Sequence, residues 1–254
     1  MPATDPLPTA VLCGGQGTRL GAATAANLPK ALIPIGGRPI LWHILHLYAE
    51  QGWRHFILCL GYRGEDIRRQ LRPEPDWRVE YVDTGETTPT GGRLAAIADR
   101  IRTPDFFATY GDGLADLDFA TLLAFHRGHQ RRGTLTAVQP RLPFGLLQLG
   151  DDQAVTGFHE KPYSPDWING GFFVFRREFL DTLRAEHALE GAPLERLAQQ
   201  DQLRAFQHRG FWACLDTYKD RLELDALCTP GPPPWQRAQG RGAGQGASGE
   251  SAAG

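Results

Sequence analysis

A glycine-rich loop directly after a short apolar stretch offers the clearest chemistry in this chain. The apolar residues 10–13 run into Gly14-Gly15-Gln16-Gly17-Thr18-Arg19-Leu20. Glycines leave backbone N–H groups accessible because no Cβ shields them, and the Arg19 guanidinium is a planar, permanently charged donor for phosphate oxygens. Lys30 follows with a second cation. We therefore predict that phosphate groups bind at Gly14, Gly15, Gly17, Thr18, Arg19 and Lys30.

The loop differs from two common phosphate-binding motifs. In G-x-G-x-x-G counted from Gly15, Leu20 stands where the last glycine belongs, and no Gly-Lys-Ser/Thr follows as in a P-loop. A tight surface turn with an incidental arginine is the alternative. The nearby Pro29-Lys30 favours phosphate binding of another kind.

Two aspartates are candidate metal ligands. Asp112 stands between glycines directly after the apolar residues 106–110, and Asp216 follows the apolar residues 211–215. Ligands collect at the carboxyl ends of strands in open α/β sheets, and Mg²⁺ in phosphoryl-transfer sites usually takes one or two carboxylates. A turn aspartate at 112 and a helix N-cap at Asp216 with Thr217 are the alternatives. As a pair, the two carboxylates predict a Mg²⁺ site.

Asp116-Leu117-Asp118 is a rival metal motif. D-x-D is the metal-binding pattern of many glycosyltransferases, which would make a metal-dependent glycosyltransferase the alternative enzyme. Two acidic residues that open a helix also stabilise its dipole without any metal. We prefer this second interpretation.

Lysine is rare in this chain. Of 27 basic residues only three are lysines, at positions 30, 161 and 219. A chain that uses arginine elsewhere is expected to keep lysine where a compact charge is needed. In Glu160-Lys161-Pro162, followed by Asn169-Gly170, we predict that Lys161 binds a sugar phosphate and that Glu160 and Asn169 bind hydroxyls. A surface Glu–Lys pair is the alternative, and Lys219 is interpreted as a surface residue.

The order of apolar segments predicts the fold. Strand and helix patterns alternate in the first half, which indicates a doubly wound α/β fold with a mostly parallel, Rossmann-like sheet. The second half is richer in strands. One domain is expected over residues 1–228, with a nucleotide-binding half at about 9–115 and a sugar-phosphate-binding half at about 116–228. Residues 229–254 are predicted to form a disordered Pro/Gly-rich tail.

Strands are expected at 10–13, 53–60, 79–82, 106–110, 134–139, 145–149, 154–159, 168–175, 204–208 and 211–215. Helices are expected from 39, at 65–71, from 94 to about 101, and at 119–129, 177–186, 194–200 and 217–227.

Bulk composition excludes several classes of protein. The net charge of −2 lacks the basic excess of a nucleic-acid-binding protein. The four cysteines are scattered, which is typical of free thiols in a reducing compartment. No apolar run reaches membrane-spanning length, and the start of the chain does not resemble a signal peptide. A cytoplasmic protein that binds neither nucleic acid nor membrane is expected.

The loop and Pro29-Lys30 resemble the sugar-1-phosphate nucleotidyltransferases. Other segments are similar to the glucose-1-phosphate cytidylyltransferase branch of that family, namely Pro39 to Ile44, Val82 to Gly85, Thr90 to Leu94, Tyr110 to Gly113, Ile168 to Phe173 and Gly210 to Trp212. The resemblance implies a nucleotide site that includes Thr88, Gly92, Arg93 and Gly111, a sugar-phosphate site that includes Gly170, and Mg²⁺ on Asp112 and Asp216.

The implied reaction is nucleotidyl transfer from CTP to a hexose 1-phosphate, with glucose 1-phosphate favoured. The alternatives are UTP or dTTP, another phosphate or phosphonate acceptor, and a catalytically silent subunit of the same fold. A sugar phosphate is already an anionic nucleophile, so no general base is required. Arg19 and the loop glycines are expected to hold the β- and γ-phosphates, Lys30 the α-phosphate and Lys161 the attacking phosphate. A homo-oligomer is a further expectation.

Overall fold

The computed structural model describes residues 7–15, 17 and 28–236. Its strands are β1 (Pro8–Leu12), β2 (Pro34–Ile35), β3 (Arg38–Pro39), β4 (His55–Leu60), β5 (Arg78–Asp83), β6 (Asp105–Tyr110), β7 (Gly113–Ala115), β8 (Gly133–Val138), β9 (Leu146–Leu149), β10 (Val155–His159), β11 (Ile168–Arg176), β12 (Leu203–Gln207) and β13 (Trp212–Cys214). Its α-helices are α1 (Ile40–Ala49), α2 (Gly64–Gln70), α3 (Thr90–Ala96), α4 (Phe119–His129), α5 (Ala192–Gln199) and α6 (Tyr218–Ala226).

Seven strands form the central sheet, in the order β12-β8-β11-β6-β1-β4-β5. All of them run parallel except β11, which lies antiparallel between β6 and β8. Every residue of β1 and β4 is buried, as expected for strands covered on both faces. The predicted mostly parallel α/β fold is confirmed.

The two faces of the sheet carry two hydrophobic cores. Val11, Leu58 and Phe107 belong to one cluster, whereas their neighbours Ile57 and Phe106 belong to the other. This alternation follows from the two-residue period of a strand. The predicted strand-rich second half supplies β8 to β13, among them the antiparallel hairpin of β9 and β10.

Two predicted helices differ in the structure. The helix expected from Leu94 to about Ile101 is α3, which begins earlier at Thr90, followed by a 3-10 turn over Ala98–Arg100. Gly91 and Gly92 are poor helix formers, which concealed its start. The helix expected at 177–186 is a 3-10 helix over Arg177–Thr182, whose last turn is followed by extended backbone at Leu183.

The predicted tail begins too early. Trp235 is only 1% exposed, and its ring packs 5.6 Å from Phe211 and 5.7 Å from His43 between ring centres. The indole Nε1 also contacts His43 Nδ1 at 3.4 Å. Packed chain therefore extends at least to Gln236, because one large aromatic side chain supplies the apolar area that the surrounding Pro and Gly residues lack.

We expect Trp235→Ala to lower the free energy of unfolding by about 3–5 kcal/mol, the usual cost of deleting a buried large aromatic side chain. Urea denaturation measures it. Truncation after Gln236 is the matched control and should leave the urea midpoint unchanged, whereas truncation after Cys228 should lower it. Equal midpoints for the two truncations would contradict the packing role of Trp235.

Within the part of the chain that the structure describes, no helix is long and apolar enough to cross a membrane. The cytoplasmic location, the division at about residue 115 and a homo-oligomer stay predictions.

Candidate active site

A cavity of about 650 Å³ opens at the carboxyl ends of β1 and β6, beside the N-terminus of α3. The chain continues from β1 to β4 on one side of the sheet and returns to β6 on the other, so the cavity lies where the strand order reverses. Such switch points are where open α/β sheets bind ligands. The predicted site residues that line the cavity are Gly14, Gly15, Gly17, Lys30, Thr88, Arg93, Gly111, Asp112, Asn169, Gly170 and Asp216.

Lys30 lies between the two predicted metal ligands. Its Nζ is 2.8 Å from Asp112 Oδ2 and 2.6 Å from Asp216 Oδ1, and its side chain is 15% exposed. Burial lowers the pKa of Lys30, but ion pairing with Asp112 and the hydrogen bonds that the ammonium donates to both carboxylates outweigh it and hold the pKa above its usual value. The ammonium is therefore charged at neutral pH.

The pairing of β7 with β13 brings the two carboxylates together. Gly113 lies opposite Cys214, and the backbone N–H of Leu215 donates to the Asp112 carbonyl at 2.9 Å. Asp216 is not the helix cap. Thr217 caps α6 in a capping box with Asp220, so the Asp216 carboxylate can turn toward Lys30.

This cluster fits a divalent cation. Donor atoms of Asp112, Cys214 and Asp216 all lie within 4.8 Å of one another. Burial, followed by the Asp112 charge, raises the pKa of the Cys214 thiol to about 12. Oxygen ligands suit Mg²⁺, and the Lys30 ammonium shows that positive charge is stabilised between them.

The phosphate loop is described only in part. Gly17 has a φ of +62°, and a Cβ there would lie 3.0 Å from Lys30 Cβ, so a larger residue would strain the backbone and crowd the lysine. A Cβ at Gly15 would meet open space. Thr18 and Arg19 lie outside the described residues, and their phosphate contacts stay predictions.

Arg93 holds three loops together. Its Nη1 donates to the carbonyls of Leu60 and Gly85 and to Thr84 Oγ1, at 2.7 to 2.9 Å. Its Nη2 donates to the Gly14 carbonyl at 3.0 Å, and the residue is 4% exposed. A Cβ at Gly14 would lie 2.2 Å from Arg93 Nη1. Arg93 thus faces the cavity, but it acts on the phosphate loop through backbone carbonyls.

Gly92 lies outside the cavity lining. Its N–H donates to the His187 carbonyl at 3.0 Å, and a Cβ would lie 2.1 Å from the Ala185 carbonyl oxygen. At Gly91 a Cβ would lie 2.8 Å from the His187 oxygen. These glycines let residues 185–190 pack directly against α3, which is a role that the sequence pattern did not reveal.

The predicted sugar-phosphate residues divide into two groups. Asn169 and Gly170 line the cavity, whereas Glu160 and Lys161 are exposed at the end of the β9–β10 hairpin, outside the lining. Lys161 Nζ lies 4.0 Å from Glu160 Oε1. Lys161 also has a φ of +46° directly before Pro162, an uncommon conformation of the kind that functional sites often retain.

The rival D-x-D motif does not face the cavity. Asp118 caps α4, because its Oδ1 accepts the N–H of Thr121 at 2.8 Å, and Asp116 pairs with His208 at 2.9 Å. Asp118 therefore lies at the start of a helix, where the preferred interpretation of the two acidic residues placed it. Lys219, interpreted as a surface residue, is exposed beside Glu223.

The sequence analysis missed a hydrogen-bonded pair of side chains in the cavity lining. Tyr110 and Glu190 both line the cavity, and the Tyr110 hydroxyl donates to Glu190 Oε1 at 2.5 Å. Burial, followed by the Glu190 carboxylate, raises the pKa of Tyr110 well above its usual value, so the phenol keeps its proton. Tyr110 could have been noticed because it precedes Gly111-Asp112, but an isolated glutamate carries no local signal.

We expect Arg93→Lys to weaken the predicted nucleotide site and the fold together. A lysine has three donors on one atom and cannot span Gly14, Leu60 and Gly85 as the guanidinium does, so buried carbonyls lose partners at about 1–3 kcal/mol each. Urea denaturation and the KM for the nucleoside triphosphate measure both effects. Arg100→Lys, at an exposed arginine 3.4 Å from Glu80, is the control. An Arg93→Lys protein with unchanged stability and unchanged KM would contradict the role of Arg93 in holding the three loops together.

The sequence pattern described as nucleotidyl transferase matches residues 9–226. The chain belongs to the nucleotidyl transferase family. Members act on a nucleoside triphosphate and a sugar 1-phosphate and generally use a divalent metal. The resemblance seen in the loop and in the later segments is thereby confirmed.

Individual relatives of this nucleotidyltransferase differ in specificity. A glucose-1-phosphate cytidylyltransferase of Salmonella typhimurium strain LT2 is 40% identical over 253 residues, which cover 89% of this chain and 97% of that protein. The mannose-1-phosphate guanylyltransferase catalytic subunit beta of Drosophila pseudoobscura pseudoobscura is 32% identical over 84% of this chain and 60% of that protein. The crystal structure of HddC from Yersinia pseudotuberculosis complexed with GMP-PN shares the fold, with a TM-score of 0.68 at 19% identity over 87% of this chain and 98% of that one.

Proposed function

We propose that this nucleotidyltransferase transfers the cytidylyl group of CTP to glucose 1-phosphate, giving CDP-glucose and pyrophosphate. The single observation that carries the chemistry is the cluster of Lys30, Asp112 and Asp216 beside the glycine loop, at the switch point of the sheet. The 40% identical glucose-1-phosphate cytidylyltransferase, matched over nearly its whole length, supports CTP as the nucleotide and glucose 1-phosphate as the acceptor.

The reaction needs charge neutralisation more than proton transfer. An oxygen of the sugar phosphate attacks the α-phosphorus in line and forms a new P–O bond, while the bond from that phosphorus to the bridging oxygen breaks and pyrophosphate leaves. Because the nucleophile is already an anion, no side chain has to remove a proton. The protein has to hold two polyanions close together and stabilise charge on the α-phosphate.

The residues divide this work. Loop glycines 14, 15 and 17, with Thr18 and Arg19, hold the β- and γ-phosphates. Lys30 exchanges a carboxylate for the α-phosphate, and Lys161 reaches the attacking phosphate from the hairpin. Thr88 and Gly111 contact the nucleotide, and Arg93 positions Gly14.

Mg²⁺ is the proposed metal, held by Asp112 and Asp216. When bound, it neutralises triphosphate charge and orients the oxygens. The two carboxylates supply the negative charge that holds a dication at this place, and Lys30 occupies the same region as a monovalent counter-charge.

Pyrophosphate release across a grid of nucleoside triphosphates and sugar 1-phosphates tests the function. We expect CTP to exceed UTP and dTTP in kcat/KM by at least about tenfold, the discrimination that one good polar contact supplies. Glucose 1-phosphate should be the best acceptor. Equal or better turnover with UTP, dTTP or GTP would refute the cytidylyl assignment.

A further inference from the structure

A hydrogen-bonded chain of side chains ends on the Glu190 carboxylate. Asn169 Nδ2 donates to the Tyr110 hydroxyl at 3.2 Å, and that hydroxyl donates to Glu190 Oε1 at 2.5 Å. On the other side, Thr90 Oγ1 donates to Glu190 Oε2 at 2.6 Å and accepts the N–H of Leu189 at 2.8 Å. Every hydrogen bond in this series is donated toward the Glu190 carboxylate, so the orientation of the carboxylate is set before any ligand binds.

Glu190 keeps two acceptor positions for a ligand. An ionised carboxylate offers about four lone-pair sites and no donor. Tyr110 and Thr90 use one on each oxygen, which leaves one on each. The side chain is exposed at the cavity wall, so these sites are accessible to a bound molecule. Two neighbouring hydroxyl groups can donate one hydrogen bond to each oxygen.

The position of this carboxylate favours the sugar over the nucleobase. Tyr110 is the last residue of β6, two residues before Asp112, and Asn169 lies on the adjacent strand β11. The sugar ring is bonded directly to the attacking phosphate, which must meet the α-phosphate proposed to lie at Lys30. The base is separated from the α-phosphate by a whole ribose and is expected to lie farther away.

Backbone packing against α3 places Glu190 at the cavity. Gly91 and Gly92 allow residues 185–190 to pack against α3, with the Gly92 N–H on the His187 carbonyl. Gly92, which the sequence analysis assigned to the nucleotide, therefore acts with Gly91 to position the Glu190 carboxylate at the cavity.

We propose that Glu190, oriented by Tyr110 and Thr90, binds two adjacent hydroxyls of the hexose and so selects acceptors that carry a vicinal diol. This deepens the proposed function and rests on it for the identity of the sugar phosphate. Glu160, the carboxylate that the sequence suggested for hydroxyls, lies outside the cavity lining.

Monodeoxy sugars test the proposal. The full chain, with CTP saturating, is assayed with glucose 1-phosphate and its 2-, 3-, 4- and 6-deoxy analogues, for wild type, Glu190→Gln and Tyr110→Phe. In wild type, kcat/KM should fall about tenfold to hundredfold for two of the analogues, each of which lacks one hydroxyl of the adjacent pair. This loss is expected for a hydrogen bond to a charged group. Glu190→Gln should reduce kcat/KM for glucose 1-phosphate by at least about tenfold and erase most of that discrimination, and Tyr110→Phe should do so partially.

Controls separate the proposal from its alternatives. Glu178→Gln, at an exposed pair with Arg132, should match wild type. The Kd for CTP, measured by calorimetry, should be unchanged in Glu190→Gln. Equal loss for all analogues, an unchanged deoxy pattern, or an altered CTP-to-UTP ratio in Glu190→Gln would overturn the proposal. If another sugar 1-phosphate proves to be the substrate, the proposed function is wrong, and the deoxy analogues of that sugar still test Glu190.

Discussion

Asp112→Asn and Asp216→Asn are each expected to lower kcat by about two orders of magnitude or more while the fold survives. Asparagine keeps the shape of the side chain but removes the negative charge that is proposed to hold a dication, and electrostatic groups in such sites are commonly worth 100-fold or more. Steady-state kinetics at saturating substrates measure kcat, and circular dichroism checks the fold. EDTA should abolish turnover by the wild type.

Asp118→Asn is the matched control for these carboxylates. Asn caps a helix about as well as Asp, and Asp118 is the N-cap of α4, where its carboxylate accepts the Thr121 N–H. Its kcat and stability should match wild type. If Asp118→Asn lost activity and Asp112→Asn retained it, a glycosyltransferase that uses the D-x-D motif would be the better explanation.

Lys30→Ala should have a comparable effect on kcat and a second effect on stability. Its ammonium is the charge proposed for the α-phosphate, where charge redistributes in the transition state, so kcat should fall by about 100-fold or more. Without it, Asp112 and Asp216 repel each other, so the melting temperature in EDTA should fall. Mg²⁺ should restore it, because the dication replaces the lost counter-charge.

Two further variants interpret that result. Lys30→Arg keeps the charge but places a broader planar group where the ammonium lies 2.8 Å from Asp112 Oδ2 and 2.6 Å from Asp216 Oδ1, so rescue of kcat should be incomplete. Lys219→Ala removes an exposed lysine 3.6 Å from Glu223 and should be silent. A melting temperature of Lys30→Ala that is insensitive to Mg²⁺ would contradict a shared cation position.

Local sequence determined where the chemistry could lie. Continuous apolar runs predict β1, β4 and β6 because a strand buried on both faces needs apolar residues throughout. Glycines after β1 and Asp112 after β6 then fall at the carboxyl ends of parallel strands, where a doubly wound sheet binds ligands. The resemblance of these motifs to a known family also predicted the nucleotidyl transfer chemistry.

Only the tertiary structure decided which of these residues meet. Lys30 lies 82 residues before Asp112 and 186 before Asp216, and their contact depends on the register of β7 with β13, which no local periodicity encodes. Arg93 shows the same limit, since only the folded chain reveals that its donors reach backbone carbonyls. Glu190 enters the site because two glycines of α3 admit a distant segment, and Trp235 packs because Phe211 and His43 form a place for its ring. Hydrophobic periodicity indicates which side of a segment faces the core and which faces solvent. Contacts between distant segments depend instead on the tertiary fold, which brings together residues separated by long stretches of chain.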